Sequence, residues 1–555
     1  MPAKSDQIHK RYKTMREARR NWDNLWQEQA DYIMPKRSNI TVRRADGAKQ
    51  TEKLFDSTAI KANRDLSAFI SSAMTSPVVR WFSLKMADPF LNEIQDVREW
   101  LDGCANILYG LFQASNFNTE VLEFYQDLGA FGTGNMLFEE APLKRGWFGG
   151  FQFRSIPVGC YCISENASGR VDVCYTYLPM TLDAAAREWG LKALSEDSQR
   201  KHEKNPYENI NILHAVEPRE GVPGYTSGRK PFMSCYVEII NDNRTKKIEE
   251  GGFDEFPFMV TRWSKTSGEQ YGRGPGDIAL PDIKTLNKAD ELTLKAWQKA
   301  IDPPMTALDD GIVGRISFVP SAINIVREKD ALQPIGFGHK FEVNAALTEQ
   351  RRQSIRSIFF SDQLQLPDKT IITATEVERR LELMREVLGP AFGSLEFDFL
   401  GPMVDRAFGI AFRNGKLPMP PAQVYEAGQN GGPVDIDVEY EGPLARAQRS
   451  GDVTAISKTM SLAASVVGVS RDASALDVLD TDEMIRHGAN ISGLPAKMIR
   501  SKDKVQEIRD TRTQAQMEMV EKNKLAQAAQ TTKTISAATK DFAAAQEMAG
   551  EPAGV

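Results

Sequence analysis

The stretch closest to a ligand-binding loop is Gly272-Arg-Gly-Pro-Gly276. Glycine-rich turns bind phosphate when successive backbone amides converge on one anion. Here the full G-x-G-x-x-G spacing is absent, and Pro275 removes an amide that such a cradle needs. The reading left is a tight turn that sets the entry angle of a helix. The chain has no G-x-x-x-x-G-K-[S/T] and no G-x-S-x-G, so it has neither a P-loop nor a nucleophile elbow. Its five histidines (His9, His202, His214, His339, His487) show no metal-ligand spacing. Its five cysteines (Cys104, Cys160, Cys162, Cys174, Cys235) form no C-x-x-C pair and are odd in number, which fits reduced thiols in a cytoplasmic chain. No cofactor, metal or catalytic constellation is implied.

The remaining chemistry is charge. Asp290 falls inside an apolar stripe made of Ile283, Leu286, Leu294, Trp297 and Ile301 at helical spacing, about 100° per residue. An acidic residue there either sits at a solvated margin or meets a cation on a neighbouring copy. Arg351, Arg352 and Arg356 lie close together on a second helical stretch and are the available cations. Their plainer reading is a surface pair within one chain, worth little.

The elements that position these residues follow from pattern. A helical run extends from Pro281 to Ile301 and stops at Pro303-Pro304. Ile316/Phe318 and Ile323/Ile325 alternate about Pro320-Ser321, a strand-turn-strand signature. Asn344 to Phe360 is helical again. A loop then runs to Thr373, which starts the next helix through a capping box with Glu376. Two long helices bracketing a small β unit form a stalk carrying a tip.

Upstream, residues 8–34 read as one amphipathic helix, with Tyr12, Met15, Trp22, Leu25, Trp26 and Ile33 on its apolar side. Lys36 to Lys53 is a basic loop, either solvated or ordered on assembly. Helices are expected at 54–74, 97–113, 116–131 and 182–194. Strands are expected at 81–84, 136–138, 151–156, 171–177, 210–216, 235–240 and 258–263. Downstream, helical spacing continues to about Phe412, with bends or breaks at Gly389-Pro390 and Gly401-Pro402. Val434 to Tyr440 alternates as a strand, and 444–467 and 473–485 are helical. Residues 500–548 are rich in Ala, Gln, Lys, Glu and Thr, so that helix either packs in an oligomer or frays, and 549–555 is expected to be disordered. The fold class is α+β.

The 555 residues suffice for about three or four domains. With 41% apolar residues, 26% charged residues and a net charge of −6, the whole is no basic nucleic-acid binder by composition. No apolar run approaches the roughly 20 residues of a spanning helix, and no signal peptide is visible, so no membrane anchor is expected.

Several local patterns, in order, resemble the portal protein, or head-to-tail connector, family of short-tailed bacteriophages. They are Leu66-Ser-Ala-Phe-Ile-Ser-Ser-Ala-Met-Thr-Ser-Pro77 before Trp81-Phe82, Ser115-Asn116-Phe117, Gly129-Ala-Phe-Gly-Thr-Gly-Asn135, Gly268-Glu-Gln-Tyr-Gly-Arg-Gly-Pro275, and Glu439-Tyr-Glu-Gly-Pro-Leu-Ala-Arg-Ala-Gln448. The resemblance covers about residues 8–500. It implies a ring, usually of twelve copies, around a central channel. The wing would be 1–270, the first stem helix 271–302, the clip 303–343 with Ile316, Phe318, Ile323 and Ile325, and the second stem helix 344–360. The tunnel loop would be 361–373, the wing return and connector 374–444, the crown 445–499, and a helical barrel or disordered tail 500–555. Ile283, Leu286, Asp290, Leu294 and Trp297 would lie between copies.

A stem helix of about 21 residues would span roughly 30 Å. Twelve copies would carry a formal −72, a wall along which DNA slides without being gripped. Lys369, Gln363, Gln365, Arg351, Arg352 and Arg356 become the candidates for transient phosphate contact, without base readout. The implied function is a non-enzymatic conduit for packaging and ejecting double-stranded DNA. Its partners would be the terminase large subunit, tail adaptor and tail proteins, and the major capsid and scaffolding proteins. It would be made in the host bacterial cytoplasm and built into one capsid vertex of the virion. The rival readings are another structural ring, such as a tail adaptor, and a nucleic-acid-processing enzyme.

Overall fold

The computed structural model describes residues 4–45, 47–143, 146–219, 230–242, 244–307, 315–317, 319, 323–327, 330, 332–335, 341–364, 388–429, 436–440, 455–463, 465–466, 479–491, 498–500 and 502–548. The chain divides into two compact units, Met1–Asp88 with Trp100–Gly451, and Pro89–Glu99 with Asp452–Val555.

The first unit contains a five-stranded antiparallel sheet in sequential order: β4 (Tyr161–Glu165), β5 (Val171–Thr181), β6 (Asn209–Pro218), β7 (Phe232–Asn241) and β8 (Arg244–Phe253). Alternate residues of a strand face opposite sides. Leu213 and Ala215 therefore join Cys162, Tyr175, Cys235 and Val237 under Ile8 and Tyr12 of α1 (Lys4–Ala18). Ile210 and Ile212 face the other way, against Leu182 and Ala185 of α6 (Leu182–Trp189). His214 is buried, its ring stacked 4.1 Å from that of Tyr236, and burial pushes its pKa down to about 3. It is a neutral core side chain. Among the described residues no group of three metal-ligating side chains exists.

The expected helix 8–34 is two helices, α1 and α2 (Arg20–Ile33), broken at Arg19. At that point the Arg19 side chain is buried, 3% exposed. Its guanidinium donates to the carbonyls of Val158 (3.3 Å), Gly159 (3.2 Å) and Tyr161 and pairs with Asp23 at 2.8 Å. The helix expected from Leu182 to Leu194 ends at Trp189, because Gly190 turns left-handed at φ +83°. Two elements lack an apolar signature and were not anticipated: α7 (Glu196–Lys204) and the charged edge strand β8. Charges on an edge strand discourage pairing with other sheets. Buried Glu238 pins α7 by accepting hydrogen bonds from the Ser195 amide and hydroxyl and from the Ser198 hydroxyl.

A second layer of the same unit packs α3 (Thr58–Met74) and α5 (Phe117–Phe131) with the sheet β3 (Phe151–Ser155), β2 (Thr133–Glu140) and β9 (Phe258–Arg262). Trp81, Phe112, Phe117, Phe138, Phe151 and Phe153 fill its core. Strand β1 (Phe82–Met86) pairs with β12 (Ile436–Tyr440), joining segments about 350 residues apart in the chain, a non-local pairing that sequence periodicity does not reveal. The break expected at Gly401-Pro402 is a π-helical turn, Glu396–Leu400, leading into α11 (Gly401–Arg413). A π turn absorbs the carbonyl that Pro402 cannot bond without ending the helix.

In the second unit, Thr481–Ile491 is helical, and Lys502–Met548 is one helix of 47 residues, about 70 Å long. Asp482 pairs with Arg509 at 2.7 Å.

Candidate functional site

The stalk is helix α8, Pro275–Ile301, beside α9, Phe341–Ile358. Its base is a crossing of two glycine-rich segments that lie far apart in sequence. Gly132 ends α5 at φ +72°, and a Cβ there would come within 2.6 Å of the Arg273 carbonyl carbon and the Gly272 oxygen. A Cβ on Gly276 would meet the Ala130 oxygen at 2.1 Å. Only glycine lets the two backbones approach this closely. Hydrogen bonds complete the joint: Trp263 N donates to Gly132 O (2.9 Å), Gly272 N to Thr133 Oγ1 (2.8 Å) and Arg273 N to Ser264 O (2.9 Å).

The same geometry disposes of a phosphate cradle. The amides of Gly272 and Arg273 are bonded within the chain, and that of Gly274 donates to Asp277 Oδ2 at 2.9 Å. A carboxylate of the helix itself occupies the anion position. Gln29 of α2 then holds the other Asp277 oxygen at 3.0 Å. Tyr271, 2% exposed, packs edge-on against Trp26 at 4.9 Å.

Above this joint the two helices are tied by ions. Arg351 meets Asp282 at 2.6 Å, and Ser354 Oγ donates to the other Asp282 oxygen at 2.8 Å. Arg352 donates to Asp56 at 2.8 Å and to Asp290 at 2.9 Å. Arg356 pairs with Glu349 at 3.1 Å. Asp290 therefore finds its arginine in its own chain. Burial works to raise the Asp56 carboxyl, but hydrogen bonds from Thr58 and Arg352 outweigh it and hold the pKa below the usual value. Asp290 goes the other way: burial lifts its pKa against the pull of Arg352. Arg352 thus belongs first to Asp56 and second to Asp290. Asn287 is buried and satisfied, accepting from the amides of Phe55 (2.8 Å) and Asp56 (3.1 Å) and donating to Ile283 O (2.9 Å).

The apolar stripe splits along the helix. Ile283 and Leu286 are each 1% exposed, whereas Leu294 is 46%, Trp297 49% and Ile301 85% exposed. Beyond them, the described residues of the two expected strands, Ile316, Ile323 and Ile325, are not in a strand. The ladder is Met305–Ala307 with Leu332–Pro334. Ile316, Ile323 and Ile325 lie outside it, and Ile323 and Ile325 are exposed. Phe318 is outside the described residues. The Asn324 side chain accepts from Ser317 N and donates to Ser317 O, each at 2.8 Å, a side-chain contact that competes with strand pairing.

Of the phosphate-contact candidates, the three arginines face carboxylates, and Arg351 keeps half its side-chain surface open. Lys369 and Gln365 lie outside the described residues, as does the Thr373–Glu376 capping box. Gln363 lies in the short helix Ser361–Leu364. Sequence reasoning missed the glycine crossing. Both halves were legible as turns, but their meeting is not a local property.

The chain matches the family described as bacteriophage head to tail connecting protein over residues 5–499. It is 28% identical over 546 residues to the portal protein of Salmonella phage epsilon15, covering 96% of this chain and 95% of that protein. It is 28% identical over 520 residues to a probable portal protein of Bordetella phage BPP-1, covering 91% and 90%. A solved chain from the virion of a native gene transfer agent particle aligns with 71% of this chain and 96% of its own, at 13% identity and a TM-score of 0.26.

Proposed function

We infer, from a chain that belongs to the bacteriophage head to tail connecting protein family, that it works as a phage portal. The observation that carries this is the match along nearly the whole length, both to the family and to two phage portal relatives. The family is structural, and the tail-adaptor alternative is not favoured by relatives that are portals. Among the described residues no helix is long and apolar enough to cross a membrane.

The finer reading is a ring of twelve copies at one capsid vertex, around a channel that passes double-stranded DNA without reading its sequence. The welded base of α8 and its half-exposed outer turns suit a stem that gains cover from its neighbours. Residues 303–343 would be the clip that docks the terminase and later the tail adaptor, and 361–373 the tunnel loop. Of the three arginines of α9, Arg351 keeps the most open surface for a passing phosphate.

The test is head assembly from capsid and scaffolding proteins, with and without this chain, followed by packaging with terminase, ATP and double-stranded DNA and measurement of nuclease-protected DNA. Filled heads are expected only with the chain; equal filling without it overturns the reading. Deleting 362–372 should leave rings intact and lower the protected DNA. Loss of rings would contradict the tunnel-loop assignment.

A further inference from the structure

The strongest charge asymmetry in the molecule lies away from the stalk. Residues 4–53 hold thirteen Lys and Arg against seven Asp and Glu, a net of +6, in a chain whose total is −6; the remainder carries −12. Part of that charge lines an open groove of about 810 Å³ where α1, α2 and the loop after them meet. Lys13, Arg16 and Arg20 project from the helical side, and Arg43 comes from the loop, its guanidinium over the Tyr177 ring at 5.3 Å. Asn24 adds a neutral hydrogen-bonding group, the Thr41 hydroxyl is already donated to Gln27 at 3.3 Å, and Ile40 is the only apolar side chain in the lining.

Two of the groove's three carboxylates are already committed. Asp23 is held by Arg19 at 2.8 Å and Asp242 by Lys13 at 3.4 Å. Arg16 and Arg20 have no hydrogen bond or ion pair among the described residues, and Glu17 is the groove's one carboxylate without a partner there. Lys13 and Arg16 lie about one turn apart on α1, roughly 4.5 Å of rise, and Arg20 opens α2, so all three cations border the same groove. Unpaired guanidiniums beside a neutral amide, with no apolar pocket to anchor a side chain or a base, suit an anionic backbone and not a peptide or a nucleobase.

We propose that this groove binds the phosphate backbone of double-stranded DNA, blind to sequence, as a contact site separate from the stem helices. The choice of DNA as the polymer rests on the portal reading; the groove and its unpaired arginines do not. Glu17 moderates the grip, so the contact is loose and salt-sensitive, as a surface beside moving DNA requires.

The test is fluorescence anisotropy of the full chain with a labelled random duplex of about 30 base pairs, titrated between about 50 and 200 mM salt. The triple variant Arg16→Gln/Arg20→Gln/Arg43→Gln should lower the slope of log affinity against log salt by about 2–3, near one for each phosphate no longer neutralised. A triple variant on the exposed last helix, Lys522→Gln/Lys524→Gln/Lys533→Gln, carries the same change in net charge and should leave the slope unchanged. Glu17→Gln should tighten binding, which keeps the test decisive if the triple variant folds poorly. Equal slopes for the two triple variants, or no gain from Glu17→Gln, overturn the proposal. Loss of binding to a poly-glutamate peptide with DNA binding intact would make it an acidic-protein site and also overturn it. Failure of the portal reading would show separately, as heads that fill without the chain.

Discussion

The first and second halves of α8 carry the same apolar spacing and meet opposite surroundings. In the first half, Ile283 and Leu286 are covered by their own chain, each burial worth about 1.5–3 kcal/mol. In the second half, Leu294, Trp297 and Ile301 stay half to mostly open. An apolar stripe reports that a surface will be covered and does not say by what. The base is finished within one chain, through the glycine crossing, Asn287 and Arg352. We propose that neighbouring copies finish the outer turns.

The largest break should come at the crossing. Gly132→Val forces a branched side chain into a left-handed backbone and against the Arg273 and Gly272 backbone, so a loss of about 3 kcal/mol or more is expected in chemical denaturation. A loss below about 1 kcal/mol would mean the joint is not rigid.

Next is Asp127 in α5, fully buried, 3.4 Å from Arg37 without hydrogen-bond geometry. Burial raises its carboxyl from 3.8 to about 6. The folded chain therefore binds that proton more tightly than the unfolded chain does. The resulting stability is full below about pH 4, is lost as pH rises through 6, and leaves a cost of about 2–3 kcal/mol at pH 8. Asp127→Asn should stabilise the chain at pH 8 by up to that amount, with the gain vanishing by pH 4. A gain that does not change with pH would refute the shift.

Arg352→Met should cost about 1–3 kcal/mol, because it leaves Asp56 and Asp290 facing each other without their shared cation. Asp290→Ala should cost less, about 1 kcal/mol or below, since Asp56 retains the arginine. Thermal unfolding of the two variants side by side checks the ranking, and the reverse order would make Asp290 the principal partner.

These effects also separate what periodicity reveals from what it does not. The position of the stalk, its two helices, most strands between residues 81 and 263 and the identity of the apolar stripe were legible, because each is set by residues a few positions apart; strands β4 and β8 were not. Several other features were not. The glycine crossing joins positions 132 and 272–276, and β1 pairs with a strand about 350 residues away. At the tip the ladder lies at 305–307 and 332–334, away from Ile316, Ile323 and Ile325, and the Asn324 amide bonds the Ser317 backbone. The arginines on α9 and the carboxylate Asp290 were legible as a candidate pair, but not Asp56, which comes from a loop before α3.

The smallest effect on the single chain belongs to the outer half of α8. Leu294→Ser with Ile301→Ser should change the stability of an isolated chain by no more than about 0.5 kcal/mol. Electron-microscope images of the purified chain and this variant test the central claim most directly. Rings with an axial hole are expected for the unaltered chain, and single compact particles for the variant. Compact monomers of the unaltered chain, or equally abundant rings from both, would contradict it.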